Sequence, residues 1–270
     1  MAAFEYDELT KIAQLFKKWT GITLDEGKLR RAARKIESVM KEFGFESFGA
    51  FYHALRFAKD ERVIQALINA VTINETYFWR EHEQFDVLVE EILPKLAQKS
   101  DRIRLLVAPS SSGEELYSLM MAILEEGDVI RRVDIEMVGM DIDSSMIERA
   151  KKGIYGKRSV EKLPKNLLKK YFRQDGNLYI IDENLRKNAT FIVANIFDEN
   201  LVEKIGRFDI LFSRNMLIYF NLEEKMKCFA QFERLLKSGG YLFLGHADAH
   251  HIDKKRFQPL GYGLPIYRKP

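Results

Sequence analysis

The sequence RLLVAPSSSGEE, residues 104–115, decides the fold class, because the helical spacing before it gives way to a strand and a tight turn. Arg104–Val107 is a short, mainly apolar run of the kind found in buried strands. Small residues from Pro109 to Gly113 predict a turn, and a helix is predicted after it. Such a turn lets a carboxylate-bearing cofactor approach the free N–H groups of a helix N-terminus. A serine and glycine turn that only caps a helix is commoner.

Further apolar runs alternate with segments of helical spacing along the rest of the chain. They are Ile135–Met140, Phe191–Ala194, Asp209–Phe212 and Tyr241–Gly245. This alternation is typical of an α/β fold, in which helices cover a mostly parallel, doubly wound sheet. Phe257–Leu260 and Pro265–Arg268 predict a final antiparallel pair, joined through a glycine-rich turn.

The stretch over residues 173–193 has two interpretations. Asn177–Ile181 and Thr190–Val193 both have strand-like composition, and the polar stretch DENLRKNA joins them. In the first interpretation they form a small β-hairpin subdomain inserted into the α/β domain. In the second the stretch is an ordinary long loop, and its last part is the third core strand. The sequence supports both equally.

The first quarter of the chain predicts a separate helical unit. Leu9, Ile12, Phe16 and Trp19 fall three or four residues apart, and no strand pattern interrupts the spacing before Val71. We therefore expect a small all-helical domain over residues 1–73, a linker and connecting helix over 74–98, and the α/β domain over 99–270.

Composition excludes several classes of protein. The chain has 43 Lys and Arg against 40 Asp and Glu, a net charge of +3 that is too balanced to indicate a nucleic-acid partner. It has neither a secretory signal pattern nor an apolar run near the roughly 20 residues of a membrane span, so we expect a cytoplasmic protein without membrane insertion. The single cysteine, Cys228, offers no disulfide or thiolate metal site, and we expect no metal cofactor.

Polar residues at the ends of the predicted strands indicate the class of ligand. Asp141 follows the second strand, where a carboxylate can accept hydrogen bonds from both hydroxyls of a ribose. Alternatively, Asp141 or Asp143 caps the next helix. Asn195 follows the third strand, where its amide suits an adenine edge, although an asparagine that only forms a turn is commoner.

A segment near the end of the sequence further restricts the class of ligand. Residues 236–244, LKSGGYLFL, predict a helix end, a glycine turn and a buried strand, and they resemble a pattern of class I methyltransferases. The chain contains no G-x-G-x-x-G motif. With the acidic end of the second strand, these features favour S-adenosylmethionine over a nicotinamide cofactor.

Further segments resemble the CheR family of chemoreceptor methyltransferases in sequence, order and spacing. They are NETYFWR (74–80), SSGEELYS (111–118), GMDIDSSMIERAKKGIY (139–155), FDILFSRNMLIYF (208–220) and LGH (244–246). The resemblance extends over essentially the whole chain. It implies a class I S-adenosylmethionine-dependent methyltransferase domain behind a helical domain, and methylation of glutamate γ-carboxylates on chemoreceptors with S-adenosylhomocysteine as the other product.

Site residues are carried over from the family by position. The resemblance implies cofactor contacts from Asn74, Thr76, Arg80, Gly113, Glu115, Asp141, Asn195, Ile196, Arg214 and Asn215. Glu115 suits the α-ammonium group of the cofactor because a carboxylate accepts its hydrogen bonds. Arg80 would hold either the cofactor carboxylate or the acceptor carboxylate, and the sequence does not decide which. The positions that depart from the family pattern, among them Asp248, remove none of these contacts.

Catalysis of this reaction needs no general base. A glutamate with its usual pKa of about 4.3 is already ionised at neutral pH, so the enzyme has to align and dehydrate it. Arg80 and Tyr219 are the predicted catalytic residues, and for Tyr219 a packing role is an equal alternative.

The resemblance also implies how the partner is recognised. The family's second helix is associated with the acidic methylation helices of receptors, and here it carries Lys35 and Lys41, with Arg31 and Arg34 beside them. The segment over residues 173–193 is shorter than in members that tether to a receptor pentapeptide, so we expect pentapeptide-independent binding. The competing hypothesis is a non-catalytic module that binds S-adenosylmethionine or S-adenosylhomocysteine and acts through its helical domain.

Overall fold

The helical spacing of the first quarter of the chain forms a bundle with its own core. The structure, a computed structural model, describes residues 4–125 and 133–270. The bundle consists of α1 (Tyr6–Thr20), α2 (Glu26–Glu42), α3 (Phe48–His53), which continues as a π-helical segment over Ala54–Ala58, and α4 (Glu61–Val71). Apolar side chains of these helices bury one another, among them Ile12, Phe16, Ile36, Phe51 and Leu67.

Short polar residues start these helices. Asp25, Ser47 and Asp60 each accept a hydrogen bond from a backbone N–H of the first turn of α2, α3 and α4. Such caps satisfy donors that have no partner within the helix. Gly21, in the left-handed conformation with φ +73°, ends α1.

A connecting helix leads from the bundle to the sheet. It consists of α5 (Glu83–Asp86), a π-helical segment over Val87–Ile92 and α6 (Leu93–Ala97). Phe85, Leu88 and Ile92 pack into the core on one face of the sheet. In the described part of the chain no helix is both long enough and apolar enough to cross a membrane.

The predicted α/β fold is confirmed. The parallel strands are β1 (Arg102–Val107), β2 (Asp134–Asp141), β6 (Ala189–Val193), β7 (Phe208–Ser213) and β8 (Leu236–Leu244), in the spatial order β6-β2-β1-β7-β8. Two short strands, β9 (Gln258–Pro259) and β10 (Ile266–Arg268), complete the sheet, and β10 pairs antiparallel with β8.

Helices cover both faces of this sheet. They are α7 (Glu114–Glu125), α8 (Ser144–Lys152), α9 (Lys157–Val160), α10 (Lys165–Tyr171), α11 (Glu183–Asn188), α12 (Leu201–Ile205) and α13 (Leu222–Leu235). The two faces have separate apolar cores, one with Leu105 and Phe212 and the other with Leu106 and Leu211. Alternate residues of one strand thus enter opposite cores, as expected of a sheet buried on both sides.

The predicted pairing of Asn177–Ile181 with Thr190–Val193 is wrong. β5 (Leu178–Ile181) lies instead in a small antiparallel sheet between β3 (Ile154–Gly156) and β4 (Phe172–Asp175). The polar stretch after β5 forms α11, and β6 pairs parallel with β2. The inserted hairpin is therefore β4–β5, one strand earlier than expected, and the interpretation of residues 190–193 as the third core strand is correct. Strand-like composition identified β5 and β6 but not their partners.

Candidate active site

A cavity lies beyond the carboxyl ends of β1, β2, β6 and β7. Its walls come from the turn after β1, Asp141 and Ile142 at the end of β2, Ala194 to Ile196 after β6, and the loop after β7. The remaining side is closed by the end of α4 with the linker after it, and by the segment from the end of α1 to the first turn of α2. Ligands of open α/β sheets bind at this edge, so the site lies where the strand pattern predicts it.

Asp141 is a buried carboxylate at the end of β2. Its Oδ2 accepts the N–H of Ser111 at 2.7 Å, and its Oδ1 accepts the N–H of Asp143 at 2.9 Å. Burial raises the pKa of Asp141 to about 6, against the opposing effect of these backbone donors. Because a carboxylate oxygen can accept more than one hydrogen bond, Asp141 retains acceptor capacity towards ligand hydroxyls in the cavity.

Asp143 has a different task from Asp141. Its Oδ1 accepts the N–H groups of Ser145 and Met146, so it is the N-cap of α8. Its Oδ2 accepts hydrogen bonds from the Thr72 hydroxyl at 2.8 Å and from Nδ2 of Asn74 at 2.6 Å. Asn74 lines the cavity, but its amide fastens the linker to the start of α8.

Glu115 and Arg214 form a buried ion pair in the cavity wall. Nε of Arg214 lies 3.0 Å from Oε1 of Glu115, and the Arg214 side chain is 1% exposed. Burial raises the pKa of Glu115, and the nearby guanidinium of Arg214 opposes that shift. A second bond, from Nη1 of Arg214 to the carbonyl oxygen of Glu81 at 3.0 Å, fixes the guanidinium.

The polar lining beside this ion pair has unused hydrogen-bonding capacity. Among the described residues, Oγ of Ser110 is buried without a hydrogen-bond partner, and Oε1 of Glu115 and Nε of Arg214 have only each other as partners. Buried polar atoms without partners are costly. A carboxylate and a guanidinium together match a ligand that carries both an ammonium and a carboxylate group, which is the methionine end of S-adenosylmethionine. The residues present therefore fit this cofactor.

Gly113 is not among the residues that line the cavity, and its cofactor contact stays a prediction. A Cβ at this position would lie 3.0 Å from the side chains of Ala150 and Phe191 and 3.1 Å from Tyr117, and its φ is +92°. Glycine is needed here for the left-handed backbone and the close packing of the turn. The ligand-facing residues of the turn are Pro109, Ser110 and Ser111.

Asn195 lines the cavity, but its amide serves the protein. Nδ2 donates to the carbonyl oxygen of Trp19 at 2.6 Å, and Oδ1 accepts the N–H of Phe197 at 2.9 Å. These two bonds give the amide a structural role, and its role at an adenine edge stays a prediction, because one N–H and one lone pair remain for a ligand. Asn195 forms a turn and joins the α/β domain to the end of α1. Its neighbour Ile196 is 5% exposed and provides an apolar wall of the cavity.

Thr76 and Arg80 line the cavity from the linker. Nη1 of Arg80 donates to the carbonyl oxygen of Glu75 at 3.0 Å, and the guanidinium lies 5.4 Å from the ring centroid of Tyr77. The positive charge of Arg80 lowers the pKa of both Glu115 and Tyr219 against the effect of burial. The charge of Arg80 thus acts on both Glu115 and Tyr219.

The loop after β7 supplies Asn215 and the half-buried Tyr219, which both line the cavity. Burial raises the pKa of the Tyr219 phenol. Nζ of Lys28, from the first turn of α2, lies 5.7 Å from the centroid of the Tyr219 ring. The sequence alone does not indicate this contact, because the approach of Lys28 to Tyr219 depends on how the two domains pack.

Asp248 is a second residue whose contact with the cavity lining the sequence did not reveal. It is 1% exposed and accepts the backbone N–H groups of Asn215 and Ile218. It follows β8 and stands between Ala247 and Ala249, where the sequence alone indicates no contact with the loop after β7.

The basic residues expected to dock the partner lie outside the cavity. Arg31, Arg34, Lys35 and Lys41 are all exposed on α2. Lys41 pairs with Glu37 at 3.1 Å. Lys28 is the basic residue of α2 that reaches the cavity.

Comparison with known proteins agrees with the fold and the cavity. Residues 7–72 match the all-alpha domain of CheR methyltransferases, and residues 74–263 match their S-adenosylmethionine-binding domain. Chemotaxis protein methyltransferase 2 of Vibrio cholerae is 36% identical over 246 residues, covering 90% of this chain and 85% of that protein. Chemotaxis protein methyltransferases of Campylobacter jejuni and Borreliella burgdorferi are 34% and 32% identical, covering 94% and 97% of this chain and 94% of each relative. The chain belongs to the CheR methyltransferase family and is an S-adenosylmethionine-dependent methyltransferase.

Proposed function

We propose that the chain methylates glutamate γ-carboxylates on the methylation helices of chemoreceptors, giving methyl esters for sensory adaptation. The observation that carries this proposal is the lining next to the Glu115–Arg214 pair, where Arg80, Lys28 and Tyr219 offer two cations and a phenol. Such a lining suits an anionic acceptor. The relatives named above, which act in chemotaxis, support the same substrate class. The proposal includes a cytoplasmic location without membrane insertion, and no nucleic-acid partner.

The cofactor site divides into three regions. Asp141 would accept from the ribose hydroxyls, Ile196 would cover the base, and Glu115 and Arg214 would hold the ammonium and carboxylate groups. Bound S-adenosylmethionine supplies an electrophilic methyl group on a sulfonium sulfur. The protein contributes orientation, because the buried ion pair and Asp141 fix both ends of the ligand.

The acceptor region needs to position an anion and to remove its water. A glutamate side chain is ionised at neutral pH, so no proton has to be abstracted before its oxygen accepts the methyl group. Arg80 is half-buried and uses Nη1 for the Glu75 carbonyl, which leaves its other donors for an acceptor carboxylate. The Tyr219 hydroxyl would donate a second bond to that carboxylate. Together they would orient one oxygen towards the methyl group.

The exposed basic face of α2 is the proposed docking surface for the acidic methylation helices. This face is formed by Arg31, Arg34, Lys35 and Lys41. Lys28 extends it to the cavity. Charge complementarity of this kind acts mainly on recognition. Reversing Lys35 and Lys41 to Glu should raise the receptor KM about tenfold and leave the Kd for S-adenosylhomocysteine unchanged. The matched control reverses Lys151 and Lys152 on α8, where Lys151 pairs with Glu148 as Lys41 does with Glu37.

The inserted sheet supports recognition without a receptor pentapeptide. β4 and β5 have four residues each and β3 has three, so the insertion offers little surface for a tethered peptide. Removing the C-terminal tail of the receptor should therefore leave kcat/KM unchanged. A loss of more than about tenfold would assign tethering to this sheet.

The experiment that tests the proposed function is transfer of labelled methyl groups to receptor-rich membranes of the same organism. The label should be stable in mild acid and released in base, as expected of a carboxyl ester. Arg80→Ala should abolish transfer, because it removes a proposed catalytic cation. Tight binding of S-adenosylhomocysteine with no transfer to any receptor would favour a non-catalytic binding module instead.

A further inference from the structure

One buried carboxylate holds the loop that carries the acceptor-side residues. Oδ2 of Asp248 accepts the N–H of Asn215, and Oδ1 accepts the N–H of Ile218 at 3.1 Å. Asp248 is 1% exposed, so protein donors rather than water have to stabilise its charge. The residue itself does not line the cavity, whereas Asn215, Ile218 and Tyr219 do.

The backbone of the loop is shaped to receive this carboxylate. Asn215 is left-handed, with φ +57°, and Met216 is right-handed, with φ −105° and ψ −46°. This succession turns consecutive N–H groups towards one side and forms a concave site for an anion. The N–H groups of Met216 and Leu217 also lower the pKa of Asp248, against burial, which raises it to about 6. The carboxylate thus sits over the N–H groups at the start of the short 3₁₀ helix Leu217–Tyr219.

The end of β8, just before Asp248, packs closely against the same loop. A Cβ on Gly245 would lie 2.9 Å from Oδ2 of Asp248 and 3.1 Å from the backbone nitrogen of Asn215. The end of β8, the Asp248 carboxylate and the loop after β7 therefore form one closely packed unit. A small displacement of Asp248 would have to move the loop.

We propose that Asp248 is a positioning residue for methyl transfer, which sets the backbone over residues 215–219 so that Tyr219 points at the acceptor carboxylate. This inference rests on the proposed function, because it assigns Tyr219 to the acceptor. It identifies a residue that acts through another and touches neither cofactor nor acceptor. Asp248→Asn is the informative variant, because it preserves size while replacing one accepting oxygen with an NH2 group, which donates hydrogen bonds and cannot accept one from a backbone N–H.

The first test measures the loop directly and needs no activity. Hydrogen exchange of the backbone amides over residues 215–219 should become at least about tenfold faster in Asp248→Asn, because opening of the loop loses its carboxylate acceptor. The matched control is Asp182→Asn, since Asp182 accepts the N–H of Asn184 at the start of α11, away from the cavity. Unchanged exchange over residues 215–219 in Asp248→Asn would overturn the proposal.

The second test is a double-mutant cycle with Tyr219→Phe. Asp248→Asn should lower kcat about tenfold or more in the wild-type background, since a misplacement of about 1 Å can cost as much as about a hundredfold. In the Tyr219→Phe background the same change should cost less than about twofold, because the hydroxyl that it positions is already missing. The Kd for S-adenosylhomocysteine should change less than about threefold in both.

Two kinetic outcomes would contradict the proposal. An equal loss of kcat in both backgrounds would make Asp248 a general stabilising residue, and a fully active Tyr219→Phe would remove the side chain through which it acts. If wild type transfers no methyl group to any receptor, the proposed function fails instead, and the exchange experiment still decides whether Asp248 holds the loop.

Discussion

The ammonium nitrogen of Lys28 lies 5.7 Å from the centroid of the Tyr219 ring, although the two residues belong to different domains. A second contact joins the two domains beside this one. The N–H of Thr23 donates to the carbonyl oxygen of Tyr219 at 3.3 Å. The beginning of α2 therefore reaches the acceptor side of the cavity. The helix proposed to dock the partner thus also contributes a charge to the site of chemistry.

Lys28→Ala should raise the receptor KM about fivefold and lower kcat, because it removes a positive charge that an acceptor carboxylate would approach. Steady-state methylation of receptor membranes measures both constants. Lys11→Ala is the control, since Lys11 is exposed on α1 away from this cavity. Equal kinetics for the two variants would mean that Lys28 serves only its contacts with Asp25 and Tyr219 within the protein.

Glu115→Gln should weaken binding of S-adenosylhomocysteine by about 10- to 100-fold, as expected for the loss of a charge-assisted hydrogen bond to the ligand ammonium. Calorimetric titration gives the Kd. Glu125→Gln, at the exposed end of the same helix, provides the control. A Kd that changes equally little in both variants would place the ligand ammonium elsewhere.

The affinity for S-adenosylhomocysteine should depend on pH through Asp141. Burial raises its pKa to about 6, so the carboxyl group takes up a proton as the pH falls below that value. If the ionised form accepts the ribose hydroxyls, binding at low pH has to displace this proton. The Kd should then rise about tenfold from pH 7 to pH 5.

The control for this pH dependence is Asp141→Asn, which has no carboxyl group to titrate. Its Kd should be weaker than that of wild type at pH 7 and nearly constant over the same range. A wild-type Kd that also stays constant would show that the protonated acid binds the ribose as well as the carboxylate does.

Asn195→Ala should destabilise the fold without weakening cofactor binding. It removes the bonds to the Trp19 carbonyl oxygen and to the N–H of Phe197, which are together worth about 1–3 kcal/mol in the free energy of unfolding. Denaturant unfolding measures that loss, and the Kd for S-adenosylhomocysteine should change less than about threefold. A large rise in Kd with unchanged stability would instead support the role at the adenine edge.

The sequence predicted those parts of the site that depend on local pattern. Asp141 and Asn195 follow apolar runs, and parallel strands bring their carboxyl ends to one edge, so both were expected at the cavity and both line it. What each side chain bonds there could not be predicted. The amide of Asn195 is used by Trp19, a residue 176 positions away in the chain.

Contacts between residues far apart in the chain also explain the other differences between the predicted and the observed structure. β5 has the composition of a strand, but its partners β3 and β4 depend on how the inserted segment folds back. Gly113 belongs to a ligand-binding turn, yet its missing Cβ makes room for Phe191 and Ala150. Asp248 bonds to a loop 30 and 33 residues earlier, and nothing in the local sequence indicates that contact.

The central claim, methylation of receptor glutamates, is tested most directly by mass spectrometry of receptor peptides after incubation with S-adenosylmethionine and the wild-type protein or Asp141→Ala. The account predicts methyl esters on glutamate side chains of the cytoplasmic helices with wild type and none with the variant. Methylation of nitrogen atoms, or no modified receptor peptide with an enzyme that binds its cofactor, would contradict it.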